Sequence, residues 1–259
     1  MSRLTQGKRF DDIVFPALCA HRGLSGLMPE SCLPGFAAGI ALGADEIEFD
    51  IRLTKDNRLV ISHDNKVERI ADGTGIVSEL TLSQLQAMRL KAPGSEKQWQ
   101  VTFATPEEIF AAVGSACVMN LHFKALGEGT SFAVAEMKRL VYQYALEDSV
   151  YFSTSEEETM QQFIALAPDI PRNALEPWRE DLDIVDYALR YGCKRCQLFK
   201  GVFDEEKVKR AIAAGVVCNV FWADDEETAR EYLDMGISVL LTNRTDLLIR
   251  IINEYRQKT

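Results

Sequence analysis

The chain has 259 residues, with 39 acidic against 29 basic side chains and a net charge of −10. Its 47% hydrophobic and 26% charged residues are ordinary for a globular protein and exclude collagen-like, low-complexity and disordered classes. The net acidity argues against a nucleic-acid partner, since phosphate-backbone affinity rests on clustered Lys and Arg, and any anionic substrate would have to be held by local cations or a metal.

The first apolar run, Ile13 to Ala20, follows Asp11 and Asp12 and leads directly into His21-Arg22-Gly23. A signal peptide wants a basic start and a clean cleavage site, so the run reads as a buried first strand. No stretch reaches the ~18 apolar residues needed to cross a bilayer. Further strands are predicted at Asp45–Ile51, Ala116–Lys124, Ser149–Thr154, Arg172–Glu176, Arg195–Phe199, Val217–Trp222 and Ser238–Thr242, the first strand being Phe15–His21. Helices are predicted over 32–42, 81–90, 105–114, 130–146, 155–166, 182–191, 204–214, 226–235 and 246–257. Ser31 precedes a helix whose Leu33, Phe36, Ala37 and Ile40 line one face, with Gly43 past its end. Thr105-Pro106-Glu107-Glu108 supplies an N-cap, a Pro at the first helical position and a capping-box Glu.

Eight strand–helix units in about 250 residues predict an α/β chain folded as a (β/α)8 TIM barrel. One gap breaks the rhythm. It holds a hairpin-like segment (Arg58–Asp64), the helix over 81–90 and a polar stretch around Pro93–Gln100. The reading is a single domain, 1–259, with a small insertion at roughly 55–104 between the second and third barrel strands. A doubly wound open sheet is the alternative, and no Gly-rich phosphate loop supports it.

The three histidines each fall at or near a segment end beside an ionisable neighbour: His21 with Arg22, His63 with Asp64, His122 with Lys124. In a barrel, catalytic groups come from C-terminal strand ends. Glu48 and Asp50 are two apart on one strand and point to one face. If that face is the interior, the two carboxylates cannot both stay ionised and unpaired, and a divalent cation is the simplest compensation. The alternative is an outward pair bonded to Lys or Arg. His122 and Lys124 also share a face, and a metal-bound anion beside Lys124 and Arg22 describes a phosphate site. Two histidines beside it suit a general base and a general acid. Six scattered cysteines include Cys193 and Cys196 as a CxxC with no second half for a zinc site, which reads as reduced thiols in a cytoplasmic protein.

The segment from His21 to Gly75 resembles the glycerophosphodiester phosphodiesterase family. The shared features are His21-Arg22-Gly23, Pro29-Glu30, Gly43-Ala44-Asp45, Glu48-x-Asp50, Thr54-x-Asp56, Val60-Ile61-Ser62-His63-Asp64 and Gly73-Thr74-Gly75. Weaker likeness runs through Asn120–Lys124, Phe221–Asp224 and Gly236–Asn243. The resemblance implies a (β/α)8 barrel and metal-dependent hydrolysis of a glycerophosphodiester to glycerol 3-phosphate and an alcohol. It implies His21 and His63 as the acid–base pair, Glu48 and Asp50 as metal ligands, and Arg22 and Lys124 as phosphate contacts. Glu30 falls among the substrate-contacting positions. The implied metal is one divalent ion, Mg or Ca.

Where the family carries a third metal-binding Glu before x-Lys, this chain has His122. Imidazole in place of a carboxylate suits Mn, Co or Zn better than Ca. Pro-Glu-Asn becomes Pro29-Glu30-Ser31, Trp-Thr-x-Asn becomes Phe221-Trp222-Ala223-Asp224, and the aspartate usual after the last strand's Thr is Asn243. Phe221 and Trp222 lie at a strand end, where an aromatic would flank the leaving alcohol or join the core. The expected partner is a small-molecule phosphodiester, without nucleic acid or stable membrane association. A homo-oligomer is compatible with the sequence. The alternatives are the same chemistry on a sugar-phosphate or lysophospholipid diester, and a ligand-binding barrel with weak catalysis.

Overall fold

The computed structural model describes residues 7–176 and 182–258. Nine strands occur among them: β1 (Ala17–His21), β2 (Glu46–Leu53), β3 (Leu59–Ile61), β4 (Val118–Phe123), β5 (Val150–Thr154), β6 (Arg172–Leu175), β7 (Arg195–Phe199), β8 (Val217–Phe221) and β9 (Val239–Thr242). All except β3 pair in parallel with their neighbours, and β1 pairs with both β2 and β9, which closes an eight-stranded barrel. β3 runs antiparallel along the end of β2, matching Ile51 with Ile61.

Among the described residues the α-helices are α1 (Leu33–Ala41), α2 (Leu82–Gln86), α3 (Pro106–Val113), α4 (Thr130–Gln143), α5 (Glu157–Leu166), α6 (Ile184–Arg190), α7 (Glu205–Ala213), α8 (Glu226–Asp234) and α9 (Thr245–Arg256). Sequence chemistry sets their starts. Thr105 caps α3 with a complete capping box to Glu108 and Pro106 in the first turn. Asp183, Asp204 and Asp225 accept backbone N–H groups at the starts of α6, α7 and α8. α1 differs from expectation. Its cap is Cys32, whose sulfur accepts from Gly35 N, while Ser31 sits one residue earlier at φ +58°. The predicted helix over 81–90 stops at Gln86, because Leu90 N instead bonds Val101 O and Ala71 bridges Leu90 in a short antiparallel contact. The first strand starts at Ala17, not Phe15. Val14 and Phe15 are exposed, and Pro16 has no N–H to give a ladder.

The strand pleat divides two environments. Ile47, Phe49 and Ile51 of β2 face outward into the main core beneath the helices, with Leu18 and Ala20 of β1. Phe123, Phe152 and Phe163 meet there with ring centroids 5.0–5.3 Å apart, and full burial of each such side chain contributes about 1.5–3 kcal/mol. The barrel interior is apolar on the β1/β9 side, where Ala17, Cys19, Val239 and Leu241 cluster with Val217 and Phe221 of β8 packed against them. Elsewhere it is a polar lattice: Asn120 donates to Gln197, Ser153 donates to Asn120, and Asn173 donates to Ser153. Residues between β2 and α3 bury a separate cluster that includes Val60, Val67, Leu85 and Phe103.

Candidate active site

Parallel register assembles the site at the C-terminal end of the barrel. Across β1 and β2, His21 lies beside Glu48. Across β2 and β4, Asp50 lies beside His122. Because side chains two apart share a face, Glu48, Asp50, His122 and Lys124 all point into the barrel mouth, where a cavity of about 490 Å³ opens.

The turn after β1 aims Arg22 at the same point. Arg22 adopts φ +55°, its N–H donates to Glu48 O at 3.0 Å, and Gly23 follows at φ +82°. A Cβ on Gly23 would stand 2.7 Å from the backbone of Gly35, so the His-Arg-Gly turn accepts only glycine there.

Asp50 is the hub. Its Oδ1 lies 2.8 Å from His122 Nδ1 and 2.7 Å from Lys124 Nζ, and its Oδ2 lies 3.4 Å from Arg22 Nε. Burial pushes the Asp50 carboxyl up, but Lys124, His122 and Arg22 together hold it well below the usual carboxylate range. Glu48 has no such escort. Burial and then the adjacent Asp50 charge push its pKa up, with His122 and Arg22 opposing. Glu48 Oε2 and Asp50 Oδ2 are both shielded from solvent without a hydrogen-bond partner. Ligand atoms of Glu48, Asp50 and His122 fall within 4.8 Å of one another. Two unsatisfied buried carboxylate oxygens beside an imidazole are a donor set that could hold a cation.

The histidines flank this centre. His21 Nε2 is 3.8 Å from Glu48 Oε2, while Nδ1 is 2.7 Å from Asn243 Oδ1. Burial drives the His21 pKa well below that of a free imidazole, the Arg22 charge adds to this, and the Asn243 bond and Asp50 only partly oppose it. His63 follows β3 at the mouth and bonds through Nδ1 to Asp64 Oδ1 at 2.6 Å. Burial lowers its pKa too, with Lys124 and Arg22 in the same direction and Asp50 and Asp64 opposing. Asp64 is held at about 2, because Arg69 and His63 outweigh its burial. Arg52 clamps the His63 carbonyl at 2.7 Å.

Of the residues singled out in the sequence, His21, Arg22, Glu48, Asp50, His63, His122, Lys124 and Phe221 line the mouth cavity. Trp222 and Glu30 do not. They line a neighbouring space of about 580 Å³, separated from the first by His21, Arg22 and Phe221. Glu30 accepts from Arg22 at 3.2 Å and from both ends of the Arg69 guanidinium, so it holds Arg22 from behind. Glu156, Glu176, Gln197 and Phe199 also line the mouth and escaped the sequence reading. Glu156, Glu176 and Phe199 stand at or just after the ends of β5, β6 and β7, which was the available signal, and Gln197 shares the inward face of β7 two residues before Phe199. The CxxC does not act as a unit. Cys193 faces Met160, Cys196 faces Cys218 at 3.9 Å, and all six thiols are free and buried.

Residues 21–247 match the glycerophosphoryl diester phosphodiesterase family. The chain belongs to that family. A glycerophosphodiester phosphodiesterase of Caldanaerobacter subterraneus is 30% identical over 233 residues, covering 81% of this chain and 94% of that one. Another, from Bacillus subtilis, is 24% identical over 91% of this chain and 86% of its own. The fold recurs in an Oleispira antarctica phosphodiesterase solved with the product sn-glycerol-3-phosphate, at TM-score 0.83 and 23% identity over 95% of this chain and 98% of that one. As a family member the chain is a phosphoric diester hydrolase, and among the described residues no helix is long and apolar enough to cross a membrane.

Proposed function

We propose that the protein hydrolyses a small glycerophosphodiester to glycerol 3-phosphate and an alcohol at the mouth of this barrel. The single observation that carries the reading is the pair of orphaned oxygens on Glu48 and Asp50, set between two cations and two histidines. Glu48, Asp50 and His122 would hold a divalent ion there, which when bound neutralises the diester and polarises phosphorus for attack. Arg22 and Lys124 bind phosphate oxygens, the first as a fork and the second as a point charge.

The histidine surroundings divide the proton transfers. His21 is buried with a neutral amide at Nδ1, and burial together with the Arg22 charge holds its pKa well below that of a free imidazole, so it enters neutral and takes the proton of the attacking oxygen. His63 sits against the Asp64 carboxylate, which opposes the lowering of its pKa by burial, Lys124 and Arg22, and in its protonated form it donates its own proton to the departing alkoxide as the P–O bond breaks. The donor set of two carboxylates and an imidazole favours Mn, Co or Zn over Ca. Six unpaired, buried thiols support a reducing, cytoplasmic setting.

The test is release of glycerol 3-phosphate from glycerophosphodiesters by metal-stripped protein, with Mg, Ca, Mn, Co and Zn restored singly. Turnover with Mn, Co or Zn exceeding that with Ca is expected. Silence with every metal refutes the activity, and a preference for Ca refutes the role given to His122. His63→Ala is expected to lower kcat by roughly 10²- to 10⁴-fold without loss of bound metal.

A further inference from the structure

A chain of side chains from the ends of β8 and β9 orients His21. Asp224 lies three residues beyond the end of β8, and Asn243 directly follows β9. Asp224 Oδ1 accepts from Thr242 Oγ1 at 3.0 Å and from Asn243 N at 2.7 Å, and its Oδ2 accepts from Asn243 Nδ2 at 2.7 Å. A carboxylate only accepts, so these bonds settle which end of the Asn243 amide carries nitrogen. The NH₂ faces Asp224 and Oδ1 faces inward. There Oδ1 meets His21 Nδ1 at 2.7 Å and the Ser25 hydroxyl at 2.8 Å, while Ser25 Oγ also lies 2.7 Å from the His21 carbonyl.

We propose that Asp224 and Asn243 are positioning residues that fix the His21 tautomer, holding the proton on Nδ1 and presenting the Nε2 lone pair to the reaction. An amide oxygen can only accept, so Nδ1 must donate, and in the neutral ring Nε2 is then the acceptor. Nε2 is the nitrogen that faces Glu48 and the mouth cavity. The amide also achieves this without adding a third negative charge beside Glu48 and Asp50. An aspartate at 243 would place two carboxylates in contact with each other, so the carboxylate at 224 and the amide at 243 work as a matched pair.

The inference rests on reading His21 as the proton acceptor, and its first readout is independent of turnover. Asp224→Asn keeps an oxygen for Thr242 and the Asn243 N–H but turns an NH₂ toward the Asn243 amide. Asn243 must then offer its oxygen to residue 224 and its NH₂ to His21, and the His21 proton moves to Nε2. With only three histidines in the chain, ¹⁵N-histidine NMR of the metal-stripped protein reads this directly, His63→Gln and His122→Gln serving for assignment. The expected result is Nδ1–H in the unmodified protein and Nε2–H in Asp224→Asn. In that variant kcat falls on the order of 10²- to 10⁴-fold, as for a wrongly tautomerised base elsewhere, with KM little changed.

The exchanged pair Asp224→Asn/Asn243→Asp restores an acceptor facing Nδ1 and is expected to return the Nδ1–H form. A folded Asp224→Asn protein that keeps Nδ1–H overturns the proposal. If the single variant does not fold, an exchanged pair with Nε2–H overturns it as well. Absence of turnover in the unmodified protein would sink the activity while leaving the tautomer result to decide the positioning role.

Discussion

Glu46, Glu48 and Asp50 stand on one strand and one face, yet the two ends of the barrel treat them oppositely. At the closed end, Glu46 Oε1 accepts from Arg195 at 2.7 Å and Oε2 accepts from the Tyr151 hydroxyl at 2.7 Å. The Arg195 guanidinium is sandwiched between the rings of Phe10 and Tyr151, 4.5 Å from each centroid. Both carboxylate oxygens there have a donor. Towards the open end, one and two pleat repeats higher, Glu48 Oε2 and Asp50 Oδ2 accept no hydrogen bond. A carboxylate that serves the fold is matched oxygen by oxygen, whereas one that serves a ligand is left with capacity to spare and costs stability until the ligand arrives.

The sharpest way to break that contrast is Glu48→Gln. It keeps the shape and removes a charge from the proposed metal-binding set, so activity with every metal should fall by more than the roughly 10²-fold typical of outer-shell changes. The metal-stripped variant should nonetheless be more stable than the unmodified protein by about 0.5–2 kcal/mol, read as a higher urea midpoint. A lower midpoint would mean that Glu48 serves the fold after all.

Glu46→Ala is the mirror experiment. Leaving Arg195 buried without its carboxylate should cost about 3–5 kcal/mol, with kcat per folded molecule unchanged. Replacing both Glu46 and Arg195 with leucine should recover most of that loss, which denaturant titration would register.

His122→Glu probes the open end more gently. Calorimetric titration should show Ca affinity rising relative to Zn by on the order of tenfold, about 1.4 kcal/mol.

The smallest effect concerns the thiols under the helices. Burial pushes Cys32 and Cys193 up to about 11 and Cys117 up to about 12, against an ordinary value of 9.0. The folded state holds these protons more tightly than the unfolded chain. Their contribution is therefore complete below pH 9.0 and is lost as pH rises toward 11–12. Urea midpoints measured under reducing conditions should decline across that window, and less so in Cys117→Ala.

How far the molecule could be read beforehand follows from the range of each interaction. Ile47, Phe49 and Ile51 alternate with Glu46, Glu48 and Asp50, so the strand, its buried face and its inward carboxylates were legible from a period of two. Thr105-Pro106-x-Glu108 announced a helix start through contacts three residues apart. The likeness of His21–Gly75 to a known family pointed to the mouth residues. Asp224 and Asn243 lie 19 residues apart and reach His21 from the far side of the chain. No local pattern encodes that meeting. The same holds for Arg69, which ties Glu30 to Asp64 from within the segment between β2 and α3. Whether Trp222 would face the mouth or the adjoining space depended on how β8 ends beside β9, which periodicity does not resolve.

The hydrogen bond between His21 and Asn243 joins residues 222 positions apart, across the β1–β9 seam. That seam is the pairing with the longest loop to close, and contacts of such separation are the slowest a chain makes. A barrel still open between β1 and β9 lacks this bond, so the base proposed at His21 is not yet oriented even when β2 and β4 have already brought Glu48, Asp50 and His122 together. During refolding, ion binding is therefore expected to recover before turnover does, and the interval between the two times the closing of the barrel.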